Sequence, residues 1–113
     1  MAQTENNDVK KSIEQYVRLL AQEGISVERV LLYGSYARGT AHDGSDVDLV
    51  VISKDFKRFP PLALLEFLAQ IAWKCDAPLE VTGYTPEEIR GKEGKSIFWD
   101  EILATGREVY KAA

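Results

Sequence analysis

GSYARGTAHDGSDVDLVV spans residues 34–51 and contains three features in close succession. A glycine-serine pair, Gly34-Ser35, opens it, the carboxylates Asp46 and Asp48 follow, and a run of apolar residues ends it. Backbone N–H groups where a turn opens a helix can hold a phosphate, and carboxylates can hold the divalent ions that neutralise it. The stretch therefore predicts a phosphate-binding turn that faces a metal site.

The acidic half of the stretch places two like charges on one face of a strand. Residues two apart in a strand project to the same side, so Asp46 and Asp48 lie close together. Their repulsion and lost hydration cost free energy unless a cation or hydrogen bonds compensate. Mg²⁺ prefers one or two carboxylates, with water and substrate phosphate oxygens in the other positions. We therefore expect Mg²⁺ at this pair.

A third carboxylate would complete a two-metal site, in which ions about 3.5 to 4 Å apart steady the attacking and leaving oxygens of a phosphoryl displacement. Glu80 is the best candidate, because it is a single acidic residue within the apolar strand expected over residues 79–84. An adjacent strand could bring it beside Asp46 and Asp48. The competing interpretation of Glu80 is a surface residue at the edge of a strand.

The glycine-serine half supplies the groups for a phosphate. Gly34 permits a sharp turn and the close approach of a ligand, and the Ser35 hydroxyl can add a hydrogen bond. Arg38 lies one helical turn further on, where it could reach either a phosphate or a carboxylate. The stretch is not a P-loop, because Thr40-Ala41 stands where that motif has lysine followed by serine or threonine. The single histidine, His42, is expected to be a surface residue.

Composition limits the class of protein. The 113 residues, 45% of them hydrophobic and 28% charged, fit one globular domain. No apolar run approaches the roughly 20 residues of a membrane span, and residues 1–8 have no signal-peptide pattern, so we expect a cytoplasmic protein. A single cysteine, Cys75, excludes an internal disulfide. The net charge of -4 argues against a protein that grips nucleic acid along its backbone.

Helical and strand patterns alternate along the chain, which predicts an α+β fold with a mixed β-sheet and helices on one face. We expect residues 1–8 to be a disordered N-terminus, with Asn7 or Asp8 capping the first helix, and residues 9–113 to form a single domain. The first expected elements are a helix that ends at Gly24, a strand over 29–33, a short helix, a strand over 47–53 and a helix that Pro60-Pro61 opens and that stops near Asp76-Ala77-Pro78. They are followed by a strand over 79–84, a capping box at 85–88, a helix from Ser96 to Ile102 ended by Gly106, and a short strand at Val109-Tyr110.

Together the two halves resemble the nucleotidyltransferase superfamily of DNA polymerase beta, whose signature is Gly-Ser, ten residues, and then Asp-x-Asp. The flanking residues 33–39 and 45–51 look like those of the minimal nucleotidyltransferases (MNT), which are often encoded beside a HEPN-domain partner. The resemblance covers essentially the whole chain, including residues 102–110 with Gly106. It implies a polymerase-beta-like fold and transfer of AMP from ATP to a hydroxyl, with Mg²⁺, as two ions, and release of pyrophosphate.

Carried over by position, the resemblance makes Asp46 and Asp48 metal ligands and Glu80 the third carboxylate and the base for the acceptor hydroxyl. Gly34, Ser35 and Arg38 would bind the nucleotide. The implied acceptor is a HEPN toxin that this chain adenylylates as an antitoxin. Two alternatives stay open, namely a non-catalytic module that neutralises a partner by contact alone and a nucleotidyltransferase that acts on a small molecule.

Overall fold

The computed structural model describes residues 2–42, 44–92 and 96–112. In chain order, the elements are α1 (Ala2–Gln22), β1 (Arg29–Tyr33), α2 (Ser35–Arg38), β2 (Val47–Ile52), a 3₁₀ helix (Lys54–Arg58), α3 (Pro61–Ala72), β3 (Leu79–Tyr84), α4 (Pro86–Lys92), α5 (Ile97–Thr105) and β4 (Arg107–Lys111). The strands form one sheet in the order β3-β2-β1-β4. The expected α+β class is confirmed.

The sheet is mixed, as predicted, because β1 pairs antiparallel with β2 and β4 whereas β2 pairs in parallel with β3. The register sets Tyr33 opposite Asp48 and Asp48 opposite Glu80. Residues paired in this way project to the same face, and neighbouring strands lie about 4.8 Å apart. Pairing of β2 with β3 therefore brings together two carboxylates that are far apart in the sequence.

One face of the sheet is covered by α1 and α3. The buried side chains of this layer are apolar and come from both helices and from alternate positions of the central strands: Ile13, Tyr16, Leu20, Val30, Leu32, Leu49, Val51, Leu68 and Ile71. The Tyr16 hydroxyl donates a hydrogen bond of 2.9 Å to the carbonyl of Leu68, which joins the two helices inside the core. Val47, the first residue of β2, is buried in this layer, whereas Asp48 does not belong to it and projects to the other face.

The opposite face is covered by α4 and α5, so the prediction of helices on one face only was wrong. Leu31, Val50 and Ile52 pack there against three helical side chains, Ile89, Trp99 and Ile102. The physical reason lies in β2, whose residues 49–52 are buried without alternation. A strand that is apolar on both sides needs cover on both sides.

The first helix also differs from the expectation. α1 begins at Ala2 rather than at a cap at Asn7 or Asp8, so the backbone of residues 2–8 is helical where we predicted disorder; residue 1 lies outside the described residues. Residues 2–22 contain neither glycine nor proline, so nothing in them interrupts the helix.

Other local predictions are confirmed. Thr85 and Glu88 form the capping box, with the Thr85 N–H 2.9 Å from Oε1 of Glu88 and the Glu88 N–H 3.2 Å from Oγ1 of Thr85. The short strand expected at Val109-Tyr110 is part of β4. Within the described ranges, no helix is both long and apolar enough to cross a membrane.

Candidate active site

A tight turn at Gly34 connects β1 to α2. Gly34 has φ 74° and ψ -150°, a backbone conformation that is essentially restricted to glycine. A Cβ at this position would also overlap Oδ2 of Asp48. Glycine is therefore required here both by the backbone conformation and by the carboxylate that lies against its Cα.

The turn is followed by one helical turn. α2 spans Ser35–Arg38, the Arg38 N–H donates to the Gly34 carbonyl at 3.1 Å, and Gly39 ends the helix with φ 76°. The first N–H groups of a helix have no carbonyl partner within it. The loop that we predicted to hold phosphate thus forms a helix start, and Gly34 and Ser35 line the same cavity as Asp48.

Asp48 and Glu80 form a carboxylate pair across β2 and β3. Burial raises the pKa of Asp48 to about 6, helped by a hydrogen bond with Glu80 and by the negative charges of Glu80 and Asp46; the charge of Arg38 acts in the opposite direction. A raised pKa means that the ionised carboxylate is destabilised by its surroundings. The arrangement accordingly favours a cation or a shared proton at this position.

The six residues that we predicted for the site line one cavity of about 420 Å³. They are Gly34, Ser35, Arg38, Asp46, Asp48 and Glu80. Asp48 is half-buried, whereas Arg38, Asp46 and Glu80 are exposed. The two halves of the sequence motif therefore face one space, with Glu80 added to it by strand pairing.

The possible metal donors in this cavity are the carboxylate oxygens of Asp46, Asp48 and Glu80. Among the described residues, no three histidine, cysteine, aspartate or glutamate side chains stand close enough to form a metal-ligand set by themselves. Asp48 and Glu80 are in contact, while Asp46 precedes β2 on an exposed loop. Mg²⁺ is commonly bound by one or two carboxylates together with substrate phosphates and water. The carboxylate oxygens here fit a Mg²⁺ ion whose remaining positions a nucleotide fills.

The loop between the two halves contributes cavity residues that the sequence analysis did not assign to the site. Thr40, His42 and Ser45 line the same space. The His42 N–H donates to Oγ of Ser45 at 2.9 Å, and the Ser45 N–H donates to the His42 carbonyl at 2.9 Å, so the loop folds back on itself. His42 is exposed, as expected, but it lies on the cavity wall. The signal that could have identified these residues is the spacing of only ten residues between Ser35 and Asp46. A loop this short, joining two parts of a site, must lie near that site.

Two aromatic residues, Tyr33 and Phe98, lie near the carboxylate pair. Tyr33 lies opposite Asp48 in the sheet register, and the Phe98 ring of α5 meets it edge to face at 5.9 Å. Burial raises the pKa of Tyr33, a hydrogen bond with Thr82 lowers it, and the charges of Asp48 and Glu80 raise it further. Tyr33 thus stays a neutral phenol beside the carboxylates.

Comparison with known proteins gives relatives by sequence. Residues 10–104 match the family model described as nucleotidyltransferase domain. A segment of 47 residues is 40% identical to a candidate protein adenylyltransferase of Methanocaldococcus jannaschii. The match covers 41% of this chain and 32% of that protein, so the chain spans about a third of its curated relative.

Solved structures share the fold. One is a toxin-antitoxin crystallised with AMP-PNP, which is 23% identical, with a TM-score of 0.60 over 91% of this chain and 73% of that one. Another is a candidate nucleotidyltransferase of Sulfolobus solfataricus, 16% identical, with a TM-score of 0.59 over 93% of this chain and 78% of that one. The family model covers most of the chain and these structures share its architecture, so the chain belongs to the nucleotidyltransferase domain family.

Proposed function

We propose that this chain transfers AMP from ATP to a hydroxyl of a partner protein and releases pyrophosphate. The observation that supports the proposal most strongly is the position of Asp48, which lies against Gly34 and beside Glu80 in one cavity. Family membership supports nucleotidyl transfer as the class of reaction. The description of the Methanocaldococcus jannaschii relative favours a protein acceptor.

In this proposal the turn and the helix start hold the triphosphate. The N–H groups at Gly34 and Ser35 and the Ser35 hydroxyl donate to phosphate oxygens, as helix starts do for anions elsewhere. Arg38 lines the same cavity and neutralises phosphate charge. The reacting α-phosphate then lies between the turn and the carboxylates.

Asp46, Asp48 and Glu80 would hold Mg²⁺, as two ions once the triphosphate is present. The ions would supply neutralisation of the charge on the attacking and leaving oxygens. Glu80 accepts the proton of the acceptor hydroxyl. The acceptor oxygen bonds to the α-phosphorus, and the bond from that phosphorus to the oxygen bridging to the β-phosphate breaks, so its electron pair leaves with pyrophosphate.

The proposed acceptor is a HEPN-domain toxin, and its adenylylation is the antitoxin action. A toxin-antitoxin among the structures with this fold is consistent with such a pairing. The net charge of -4 also disfavours an acceptor that is bound through a nucleic-acid backbone. We take residues 9–113 as the active domain, because Val9 and Ile13 of α1 belong to the buried apolar layer of the sheet.

The test is incubation of the purified chain with Mg²⁺, ATP labelled at the α-phosphate and the protein encoded by the adjacent gene, which we propose to be the HEPN toxin. We expect label on the partner, and we expect EDTA, Asp48→Asn or Glu80→Gln to remove at least nine-tenths of it. Glu66→Gln is the matched control, because it removes an exposed carboxylate from α3 outside the cavity. Full labelling by Asp48→Asn would exclude the proposed site.

A contact-only antitoxin is the second candidate. Leu62 and Leu65 on α3 are 67% and 55% exposed, which is a surface that a partner could cover. Measuring growth rescue from the toxin together with label transfer distinguishes neutralisation by contact from adenylylation. Full rescue by Asp48→Asn without transfer would support contact alone, and loss of both would support catalysis.

A further inference from the structure

A second cavity opens beside the candidate active site and shares two carboxylates with it. It has a volume of about 570 Å³ and lies between the end of α3 and the start of β3, where Asp46, Trp73, Asp76, Pro78 and Glu80 line it. We call it the α3–β3 groove. Asp46 and Glu80 also line the active-site cavity, so the groove leads directly to the side chain proposed to take the acceptor proton.

The groove contains an aromatic side chain that the core does not use. Trp73 caps the C-terminal end of α3 and is 87% exposed, whereas the other tryptophan, Trp99, is 1% exposed. Exposed tryptophans next to a cavity are typical anchors of protein partners, because the ring buries a large area at low cost in side-chain entropy.

Charge distinguishes the groove from the phosphate side of the active site. Its described lining includes three carboxylates, Asp46, Asp76 and Glu80, and no lysine, arginine or histidine. The active-site cavity, by contrast, also contains Arg38 and His42. A phosphate-rich acceptor would be repelled from the groove, and a basic one would be attracted.

The wall of the groove is attached to the strand that carries Asp48. The Val47 N–H donates to the Pro78 carbonyl at 2.8 Å, and the Leu79 N–H donates to the Ala77 carbonyl at 2.9 Å. Whatever binds along this wall is therefore held at a fixed position relative to the carboxylate pair.

We propose that the α3–β3 groove seats the acceptor, and that the acceptor is a hydroxyl-bearing polypeptide segment with basic flanking residues. Trp73 packs against this segment, Asp76 pairs with its cations, and its hydroxyl reaches Glu80. The inference rests on the proposed nucleotidyl transfer and assigns the side from which the acceptor enters and its chemical class. A polynucleotide acceptor is the competing class.

The first test separates acceptor binding from ATP binding during transfer to the HEPN protein. Trp73→Ala and Asp76→Asn should each raise the KM for the acceptor about tenfold, a usual effect for a central contact, and leave the KM for ATP within about twofold. Glu66→Gln is the matched control, because Glu66 is exposed on α3 and lines neither cavity. An unchanged acceptor KM in Trp73→Ala, or an equal rise in both constants, overturns the proposal.

The second test measures binding and does not depend on nucleotidyl transfer. Acrylamide quenching reports on Trp73, because Trp99 is buried. A short peptide with one serine, threonine or tyrosine between lysines should protect Trp73 from quenching and should protect it less in Asp76→Asn. The same peptide with glutamates in place of lysines should give no protection. Protection by an oligoadenylate RNA, or by neither peptide, overturns the groove proposal.

The two proposals fail in different ways. If Asp48→Asn abolishes labelling while Trp73→Ala leaves the acceptor KM unchanged, nucleotidyl transfer stands and the groove does not. If the lysine peptide protects Trp73 but wild-type protein transfers no label, the groove stands as a binding site and the proposed transfer does not.

Discussion

The Asp48 carboxylate lies against the Cα of Gly34, at a point where a side-chain Cβ would overlap its Oδ2. The turn that opens α2 and the first polar residue of β2 are therefore one structural unit. The phosphate-binding half and the acidic half of the motif depend on each other for their positions. Substitution at Gly34 should consequently disturb the carboxylate as well as the turn.

Gly34→Ala should reduce label transfer at least tenfold and lower the free energy of unfolding by about 1 to 3 kcal/mol, the usual cost of a residue held in such a conformation. Gly24→Ala is the matched control, because Gly24 has φ 84° and nothing within 4 Å of the added Cβ. Gly24→Ala should lower the free energy of unfolding by about 1 kcal/mol and leave label transfer unchanged. Urea unfolding measures the stability of both variants, and label transfer measures their activity. Equal transfer by Gly34→Ala and Gly24→Ala would contradict the importance of the contact between Gly34 and Asp48.

The carboxylate pair should make the stability of the metal-free protein depend on pH. The pKa of Asp48 is raised from 3.8 to about 6, so between these values the folded state holds a proton that the unfolded state has released. The contribution of Asp48 to stability therefore falls as pH rises from about 4 to 6 and stays low above that.

Asp48→Asn removes this titration. In EDTA at pH 7.5, we expect Asp48→Asn to be more stable than wild-type protein, and we expect the difference to shrink as pH falls towards 4. Urea unfolding of both proteins across this range measures the difference. A difference that is independent of pH would show that Asp48 is not crowded by its neighbours.

Arg38 should act mainly on the nucleotide. Arg38→Gln should raise the KM for ATP about tenfold, since a charge-assisted contact to phosphate is lost, with a smaller effect on kcat. Arg90→Gln, which alters an exposed arginine of α4 outside the cavity, should change neither constant. Steady-state kinetics at saturating acceptor would contradict the assignment if the KM for ATP were unchanged in Arg38→Gln.

Tyr16 should stabilise the fold through its hydroxyl. Tyr16→Phe keeps the buried ring but removes the bond to the Leu68 carbonyl, so the free energy of unfolding should fall by about 1 kcal/mol. Tyr110→Phe is the control, because it changes a half-buried phenol on the edge strand β4. Its free energy of unfolding should lie within about 0.5 kcal/mol of that of wild-type protein. Equal unfolding midpoints for Tyr16→Phe and wild-type protein would mean that this bond contributes nothing.

Features of the site and of the fold that depend only on residues close together in the sequence could be predicted. The turn at Gly34-Ser35, the carboxylate at Asp48 and the capping box at Thr85 depend on neighbouring residues, and each is found where it was expected. The contact of Asp48 with Glu80 depends on parallel pairing of β2 with β3. The sequence indicated that both are strands, but a local pattern does not specify which strand pairs with which.

The placement of the helices on both faces was less predictable for the same reason. In α5, Trp99 and Ile102 are buried while Ile97, Phe98 and Leu103 are exposed, so apolar residues surround the helix and do not mark one packing face. The groove at Trp73 likewise had no local signal, because an exposed tryptophan looks like a core residue in the sequence. The loop before β3 places Trp73 in a cavity that Glu80 also lines.

The most direct test of nucleotidyl transfer at the Asp48–Glu80 pair uses ATP labelled at either the α- or the γ-phosphate. Wild-type protein with Mg²⁺ and the proposed acceptor protein should place only the α-label on the acceptor and release the γ-label in pyrophosphate. Both Asp48→Asn and Glu80→Gln should stop these two events together. Label on the acceptor from γ-labelled ATP, or α-label transfer that persists in both variants, would contradict the account.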